Sequence, residues 1–238
     1  MRLGEIAEQT GLVAPTAHRL LRTLVDHGLV AQEVATKAYR PGLKLFELSS
    51  YVVQGLELRD EAQPEIRQLS RETDETVHLA VLDEGEVVYI DKVETAQTIR
   101  MYSAVGKRAP AHCTGVGKVL LAGLPAEELR RVIRQRGLRE YTGTTITTVE
   151  ALERELALIS ERGYATDDGE HEPEIRCVAC PVRDHTGRIV AATSVTAPAT
   201  RMSRERVEAL APLVRRCADR VSQRLGYVPE DGHVAVAS

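Results

Sequence analysis

Two cysteines three residues apart, Cys177 and Cys180, are the residues of this sequence that most directly suggest zinc or redox chemistry. Residues 174–183 predict a strand, and positions three apart on a strand face opposite sides of the sheet. The pair then neither chelates one ion nor closes a disulfide easily, and no second Cys-x-x-Cys motif is present. We therefore expect Cys177 to line a ligand pocket and Cys180 to lie in the core. A zinc site remains open as an alternative, with ligands drawn from His112, Cys113, His171 and Cys177.

The segment TGVGKV at residues 114–119 is superficially similar to a phosphate-binding loop. That motif requires glycine where this sequence has His112, and serine or threonine where it has Val119. The segment fits the start of a helix better, and free backbone N–H groups between Thr114 and Gly117 would suit a carboxylate. Close packing that only glycine permits is the alternative interpretation of the same residues.

Acidic residues surround His171, at positions 167, 168, 170 and 172. Paired carboxylates can act as general acid and base, but on a loop they are usually solvated. No nucleophile, base and orienting residue occur together at a recognisable spacing, so the sequence argues against an enzyme. A zinc- or thiol-dependent hydrolase using Cys177 and His171 is the alternative that stays open.

Two hydroxyl side chains, Ser194 and Thr196, lie two apart on a predicted strand and so share one face. Within the apolar run AATSVTAP they suit hydrogen bonds to an acidic ligand, although bonds to the backbone would satisfy them equally well. Tryptophan is absent and aromatic residues make up only 3% of the chain. A small organic or sugar acid is therefore a better expectation than a large planar ligand. Candidate partners for its carboxylate are Arg100, Lys107, Arg108 and Arg176.

The elements that must position these residues form an alternation of hairpins and helices. Residues 60–73 predict a helix, and residues 76–91 predict two strands joined at Asp83-Glu84-Gly85. Thr147 and Glu150 predict a capping box before a helix that ends at Gly163. Strands near 164–168, 174–183 and 188–197 follow, and a closing helix runs to about residue 225. This pattern predicts an α+β domain with an antiparallel sheet.

The first 42 residues show a different pattern. Residues 3–9 predict a short helix, Gly11 a tight turn, and Pro15 the first position of a second helix. A buried stripe is expected along that helix, and residues 29–42 predict two short strands around a loop, the form of a wing. The stripe consists of Ala17, Leu20, Leu21, Leu24 and Val25.

An exposed ridge of threonine and arginine on the second helix suits the major groove of DNA. Lysine and arginine on the wing would neutralise phosphates. The predicted DNA-contacting residues are Pro15, Thr16, Arg19, Arg22, Lys37 and Arg40. The alternative is a structural helical hairpin whose arginines are merely solvated.

The overall charge conceals this basic segment. The chain has 238 residues and a net charge of −4, but residues 1–46 hold six Lys and Arg against four Asp and Glu. No apolar run approaches the roughly 20 residues of a membrane span, and the N-terminus has no signal-peptide pattern. Four cysteines do not make a disulfide framework, which favours a reducing cytoplasm. We expect no membrane partner and no cofactor.

Five segments together resemble the IclR family of bacterial transcriptional regulators, in the family's order, from about residue 2 to residue 227. They are LGEIAEQTGLVAPTAHRLLRTLVDHGLV, ETVHLAVLDEGEVVYIDKVE, RMYSAVGKRAPAHCTGVGKVLLA, RGYATDDGEHEPEIRCVACPV and IVAATSVTAP. The resemblance implies a winged helix-turn-helix in residues 1–42, a linker helix in 43–58 and a GAF-like effector-binding domain in 59–238. It also implies binding to palindromic double-stranded DNA as a homodimer or homotetramer.

The resemblance further implies an effector pocket formed by Met101, Gly115, Gly117, Asp167, Cys177, Ser194 and Thr196. One departure is that the family has another helix before the segment that begins at Met1. We predict that the start codon is misplaced and that upstream sequence encodes this helix in frame. If the short form is genuine, a metabolite sensor that acts on a protein partner without DNA becomes the alternative.

Overall fold

The computed structural model describes residues 1–94 and 103–228, without the side chains of Phe46 and of residues 49–57. The chain divides into two compact units between Glu57 and Leu58.

The first unit has the two helices and the two-stranded wing that the sequence predicts. Helix α1 spans Leu3–Thr10 and helix α2 spans Ala14–Asp26. Between them Gly11 has a φ of 68°, a left-handed conformation that glycine adopts without strain. Strands β1 (Val30–Gln32) and β2 (Tyr39–Pro41) pair in antiparallel fashion, and helix α3 begins at Leu43.

The predicted buried stripe of α2 is covered along only one of its edges. Ala17 and Leu21 are buried, whereas Leu20 and Leu24 remain 48% and 36% exposed. The reason is that α2 packs against α1 and β1, which contact one side of the stripe. The expectation that Leu20 and Leu24 are core residues was therefore wrong for the unit as described.

Helix α3 is one continuous helix, Leu43–Thr73, rather than a linker helix followed by a second helix at 60–73. Pro64 lies inside it and removes a single backbone hydrogen bond, which would normally kink or end a helix. Flanking residues Ala62, Ile66 and Leu69 are almost completely buried in the second unit. We attribute the persistence of the helix to this packing, which outweighs the missing hydrogen bond.

The second unit is built on a six-stranded antiparallel sheet of order β5-β4-β3-β8-β7-β6. The strands are β3 (Thr76–Asp83), β4 (Glu86–Val93), β5 (Arg108–Pro110), β6 (Ala165–Asp168), β7 (Ile175–Arg183) and β8 (Ile189–Pro198). The β3–β4 hairpin turns at Glu84 and Gly85, both with positive φ, as the sequence predicted.

Helices cover both faces of this sheet. One face packs against the second half of α3 and against α7 (Arg204–Arg224), and its core includes Val178 and Cys180. The other packs against α4 (Gly115–Ala122), α5 (Ala126–Arg136) and α6 (Val149–Arg162). This α+β architecture with an antiparallel sheet confirms the predicted fold class. No described helix is both long and apolar enough to cross a membrane.

One predicted helix cap is displaced by a residue. The cap of α6 is Thr148, whose hydroxyl accepts a hydrogen bond from the N–H of Ala151, so Thr147 is not the cap. Val149, the first residue of α6, is 37% exposed. Gly163 ends the helix in a left-handed conformation, as expected.

Candidate functional site

Arginine side chains project from one face of α2 in the first unit. Arg19 and Arg22 are exposed, and neither forms an ion pair with any residue in the described part of the chain. Thr16 is half-buried in the first turn, where its N–H donates to the carbonyl of Val13. Pro15 is exposed at the second position of α2, one later than predicted, because the helix begins at Ala14.

The wing adds two further exposed cations. Lys37 lies at the turn between β1 and β2 with a φ of 58°, and its N–H donates to the carbonyl of Glu33. Arg40 lies on β2 opposite Ala31. All six predicted DNA-contacting residues therefore belong to α2 or to the wing, and five of them are exposed.

A cavity lies in the second unit between the first turn of α4 and one face of the sheet. We call it the first cavity. Asp167, Cys177 and Thr196 are directly opposite one another across β6, β7 and β8, so their side chains share this face. Ser194 is two residues before Thr196 on the same face, opposite His78 of β3. The lining residues are His78, Tyr89, Ser103, Lys107, Arg108, Ala109, Thr114, Gly115, Val116, Asp167, His171, Glu172, Ile175, Cys177, Ser194 and Thr196.

The first cavity is small and its wall is rich in hydroxyl groups. Its volume of about 60 Å³ would hold a few water molecules or a compact ligand. The Ser194 and Thr196 oxygens are 3.4 Å apart, and the Thr196 oxygen is 3.4 Å from Nδ1 of His78. Nε2 of His78 is 2.7 Å from the hydroxyl oxygen of Ser103. These polar groups form one chain along the wall.

Burial controls the charge of this wall. Desolvation, aided by the nearby charge of Lys92, lowers the pKa of His78 to about 3, so its imidazole is neutral. Desolvation raises the pKa of Asp167 to about 7, although its carboxylate accepts a 2.7 Å hydrogen bond from the N–H of Glu170. The pKa of the Cys177 thiol is also raised by burial. A protonated thiol is a poor nucleophile, which argues against the thiol hydrolase alternative.

An ion pair in the core lies behind the wall. Lys118 of α4 is 1% exposed, and its ammonium group donates to a carboxylate oxygen of Glu170. The second oxygen of Glu170 has no hydrogen-bond partner among the described residues. Glu155 of α6 lies 3.8 Å from the same ammonium group. Since the Glu170 N–H holds Asp167, the ion pair links α4 to the cavity wall.

The two glycines of α4 have different surroundings. Gly115 lines the cavity, and a Cβ atom there would lie 2.5 Å from the sulfur of Cys177. Gly117 does not line it, because its Cα faces the backbone of Ala111, where a side chain would clash. Close packing therefore requires glycine at both positions. Of the two, only Gly115 lies beside the cavity.

The remaining predicted site residues are distributed as follows. Met101 and Arg100 lie outside the described residues. Lys107 and Arg108 line the first cavity, whereas Arg176 bonds to Asp168 and to the carbonyl of Met202. Of the alternative zinc ligands, His171 and Cys177 line the cavity but His112 and Cys113 do not. In the described ranges, no three His, Cys, Asp or Glu side chains are grouped as a metal ion would require.

Sequence reasoning missed three polar lining residues, His78, Tyr89 and Ser103. His78 and Tyr89 lie on β3 and β4, whose alternation was visible, but alternation does not reveal which residues face Ser194 across the sheet. The register supplies that information, since His78 is directly opposite Ser194. No sequence pattern marked Ser103 as a lining residue.

Comparison with known proteins resolves what this pair of units is. Residues 1–34 match the family described as the IclR helix-turn-helix domain, and residues 50–223 match the family described as bacterial transcriptional regulator IclR C-terminal. The chain belongs to the IclR family. The expected family, fold and class of function are thereby confirmed, and this family member is a transcriptional regulator with a helix-turn-helix.

Individual relatives agree with this assignment. The regulator is 37% identical over 223 residues to the HTH-type transcriptional regulator KdgR of Escherichia coli K12, covering 94% of this chain and 85% of KdgR. Its structure matches that of IclR from Thermotoga maritima with a TM-score of 0.70 and 36% identity, over 95% and 92% of the two chains. An IclR homolog from Microbacterium hydrocarbonoxydans, complexed with 4-hydroxybenzoate, matches with a TM-score of 0.67 and 27% identity over 94% and 91%.

Proposed function

We propose that residues 1–42 form the DNA-binding domain and residues 59–238 the effector-binding domain of a metabolite-controlled regulator. Residues 43–58, the first half of the continuous helix α3, would be the linker. Arg19 and Arg22 would contact base edges or phosphates, with Thr16 and Pro15 at the entry of α2 into the major groove. Lys37 and Arg40 would contact the backbone from the wing. The support for this proposal is the exposure of these cations on two adjacent elements.

We infer that the effector is a small carboxylic acid bound in the first cavity. The observation that carries this inference is the chain of hydroxyls from Ser194 to Ser103 facing the first turn of α4. Backbone N–H groups in the first turn of a helix have no acceptor within the helix and attract carboxylates. Ser194 and Thr196 would bind a hydroxyl or keto oxygen at the other end of the ligand. The 4-hydroxybenzoate bound by the Microbacterium relative is also a small acid.

The regulator would act as a dimer or a tetramer, since paired recognition helices suit a palindromic operator. An effector would control DNA binding by having different affinities for two arrangements of the subunits. Its site of action would be the cytoplasm, where its DNA partner is found.

Ser194→Ala should leave operator affinity in the absence of ligand unchanged and should weaken the response to an acidic effector about tenfold, because one buried hydrogen bond is lost. Fluorescence anisotropy with a labelled operator, titrated with effector, measures both quantities. Thr186→Ala, an exposed hydroxyl on the β7–β8 turn, is the matched control. An unchanged effector response in Ser194→Ala would contradict the proposed pocket.

The affinity of the first cavity for an acid should rise as the pH falls towards about 7, by up to about tenfold per pH unit, and should level off below that pH. Above it Asp167 is anionic and repels the ligand carboxylate, whereas below it the neutral carboxyl donates a hydrogen bond. Burial lowers the pKa values of His78 and His171, so neither imidazole gains a positive charge as the pH falls towards 7. Isothermal titration calorimetry on Asp167→Asn should give a pH-independent affinity. A flat profile in the unmodified protein would count against this role of Asp167.

A further inference from the structure

A second cavity of about 260 Å³ lies in the same unit, between α5, α6 and the loop that follows α5. Its floor is apolar and includes Leu121 of α4, Ile133 of α5 and Leu152 of α6. Leu138 in the loop completes the apolar surface. The first cavity is smaller, and the two share no lining residue. This surface would accept the hydrocarbon part of a small molecule.

Polar groups lie at the rim of the second cavity. His112 is buried, and its Nε2 donates a 3.0 Å hydrogen bond to the carbonyl of Arg139. The Arg139 guanidinium lies 5.5 Å from the centre of the Tyr141 ring. No carboxylate in the described ranges lies within ion-pair distance of it. Arg136, by contrast, is already bound to Glu86 at 3.2 Å. The rim therefore offers one uncompensated cation next to an apolar floor.

The loop that forms this rim also holds the wall of the first cavity. The hydroxyl of Thr142 donates to the carbonyl of Gly169 at 2.7 Å, and that of Thr145 donates to the carbonyl of Glu170 at 2.6 Å. The Tyr141 ring packs edge-on against His171, with 5.0 Å between ring centres. His171 lines the first cavity and Tyr141 lines the second. A molecule that moves Tyr141 would therefore move a wall of the other site.

Strand β5 provides a second connection. Arg108 and Ala109 line the first cavity, whereas Pro110 and the residues that follow it, Ala111 and His112, line the second. Three residues later α4 begins, with Gly115 at the first cavity. One short segment thus contributes to both walls.

We propose that the second cavity is a separate ligand site for a small carboxylic acid with an apolar body, whose carboxylate pairs with Arg139. Occupation of this site changes the position of Tyr141 and, through His171, the affinity of the first cavity. The site itself does not depend on the proposed effector pocket, whereas the coupling rests on it.

Hexanoate is a suitable probe, observed by methyl NMR on the full chain with labelled isoleucine and leucine. We expect shifts at Ile133 and Leu138 with a dissociation constant of about 1 mM. Arg139→Gln should weaken this binding about tenfold, since a charge-assisted pair is lost. Arg134→Gln is the matched control, because Arg134 is exposed on α5 and does not line the cavity; it should change nothing.

The outcomes separate the parts of the proposal. The absence of shifts at Ile133 and Leu138 up to about 20 mM hexanoate would overturn the site. If hexanol bound as tightly as hexanoate, and Arg139→Gln did not weaken hexanoate binding, the assignment of the site to acids would be overturned. Coupling predicts that hexanoate shifts the ring signals of His171 in the unmodified protein and much less in Tyr141→Ala. His171 signals that do not shift with hexanoate would overturn only the coupling. None of these measurements involves DNA or the effector.

Discussion

Replacing both Arg19 and Arg22 with alanine should weaken operator binding by at least about thirtyfold, since each base contact contributes about 1–3 kcal/mol and about 1.4 kcal/mol corresponds to a factor of ten. Both side chains are exposed on α2, and neither forms an ion pair in the described part of the chain. Their loss should therefore leave the stability of the first unit nearly unchanged. Fluorescence anisotropy with a labelled operator at fixed salt measures the effect.

The control for the arginine pair must remove the same charge elsewhere. Arg134→Ala combined with Arg154→Ala changes two exposed arginines of α5 and α6, in the second unit. We expect less than about a twofold change from it, because neither arginine belongs to α2 or to the wing. Equal losses in both double variants would show that net charge, and not the face of α2, determines binding.

Lys118→Met should destabilise the second unit by about 3 kcal/mol or more, because it leaves the buried carboxylate of Glu170 without its cation. Lys118 is almost fully buried, bonds to Glu170 and lies near Glu155. The thermal transition of the second unit, followed by calorimetry, measures the loss. Arg130→Met breaks an exposed ion pair with Glu127 on α5 and should lose less than about 0.5 kcal/mol.

Adding Glu170→Gln to Lys118→Met tests whether the loss arises from the unpaired charge. The double variant should be more stable than Lys118→Met alone, since the amide is cheaper to bury than the carboxylate. If the two losses were simply additive, the ion pair would have no special role.

The sequence predicted local structure well wherever one residue type determines the backbone. Gly11, Gly85 and Gly163 all adopt the positive φ that their turns and helix ends required. Strand alternation placed Cys177 at the cavity and Cys180 in the core. These features depend on short-range sterics, which a single sequence contains.

Features that depend on tertiary packing could not be predicted in this way. The sequence predicted separate helices in residues 43–58 and 60–73, but α3 is continuous, and the burial of Ile66 and Leu69 maintains it past Pro64. The buried ion pair of Lys118, in the TGVGKV segment, could not be predicted because its partner Glu170 is remote in sequence. His78 was missed for the same reason, since only the strand register brings it opposite Ser194.

We propose that a small acid in the first cavity controls binding of the operator by α2 and the wing. The most direct measurement is the operator dissociation constant, for a site selected by the protein from random DNA, with and without each of a set of small carboxylic acids. We expect at least one acid to change this constant by about tenfold or more. The same acid should have little effect on the Ser194→Ala, Thr196→Val double variant, whose ligand-free operator affinity should be unchanged. An acid response that survives in that variant, or selection of no DNA site at all, would contradict the account.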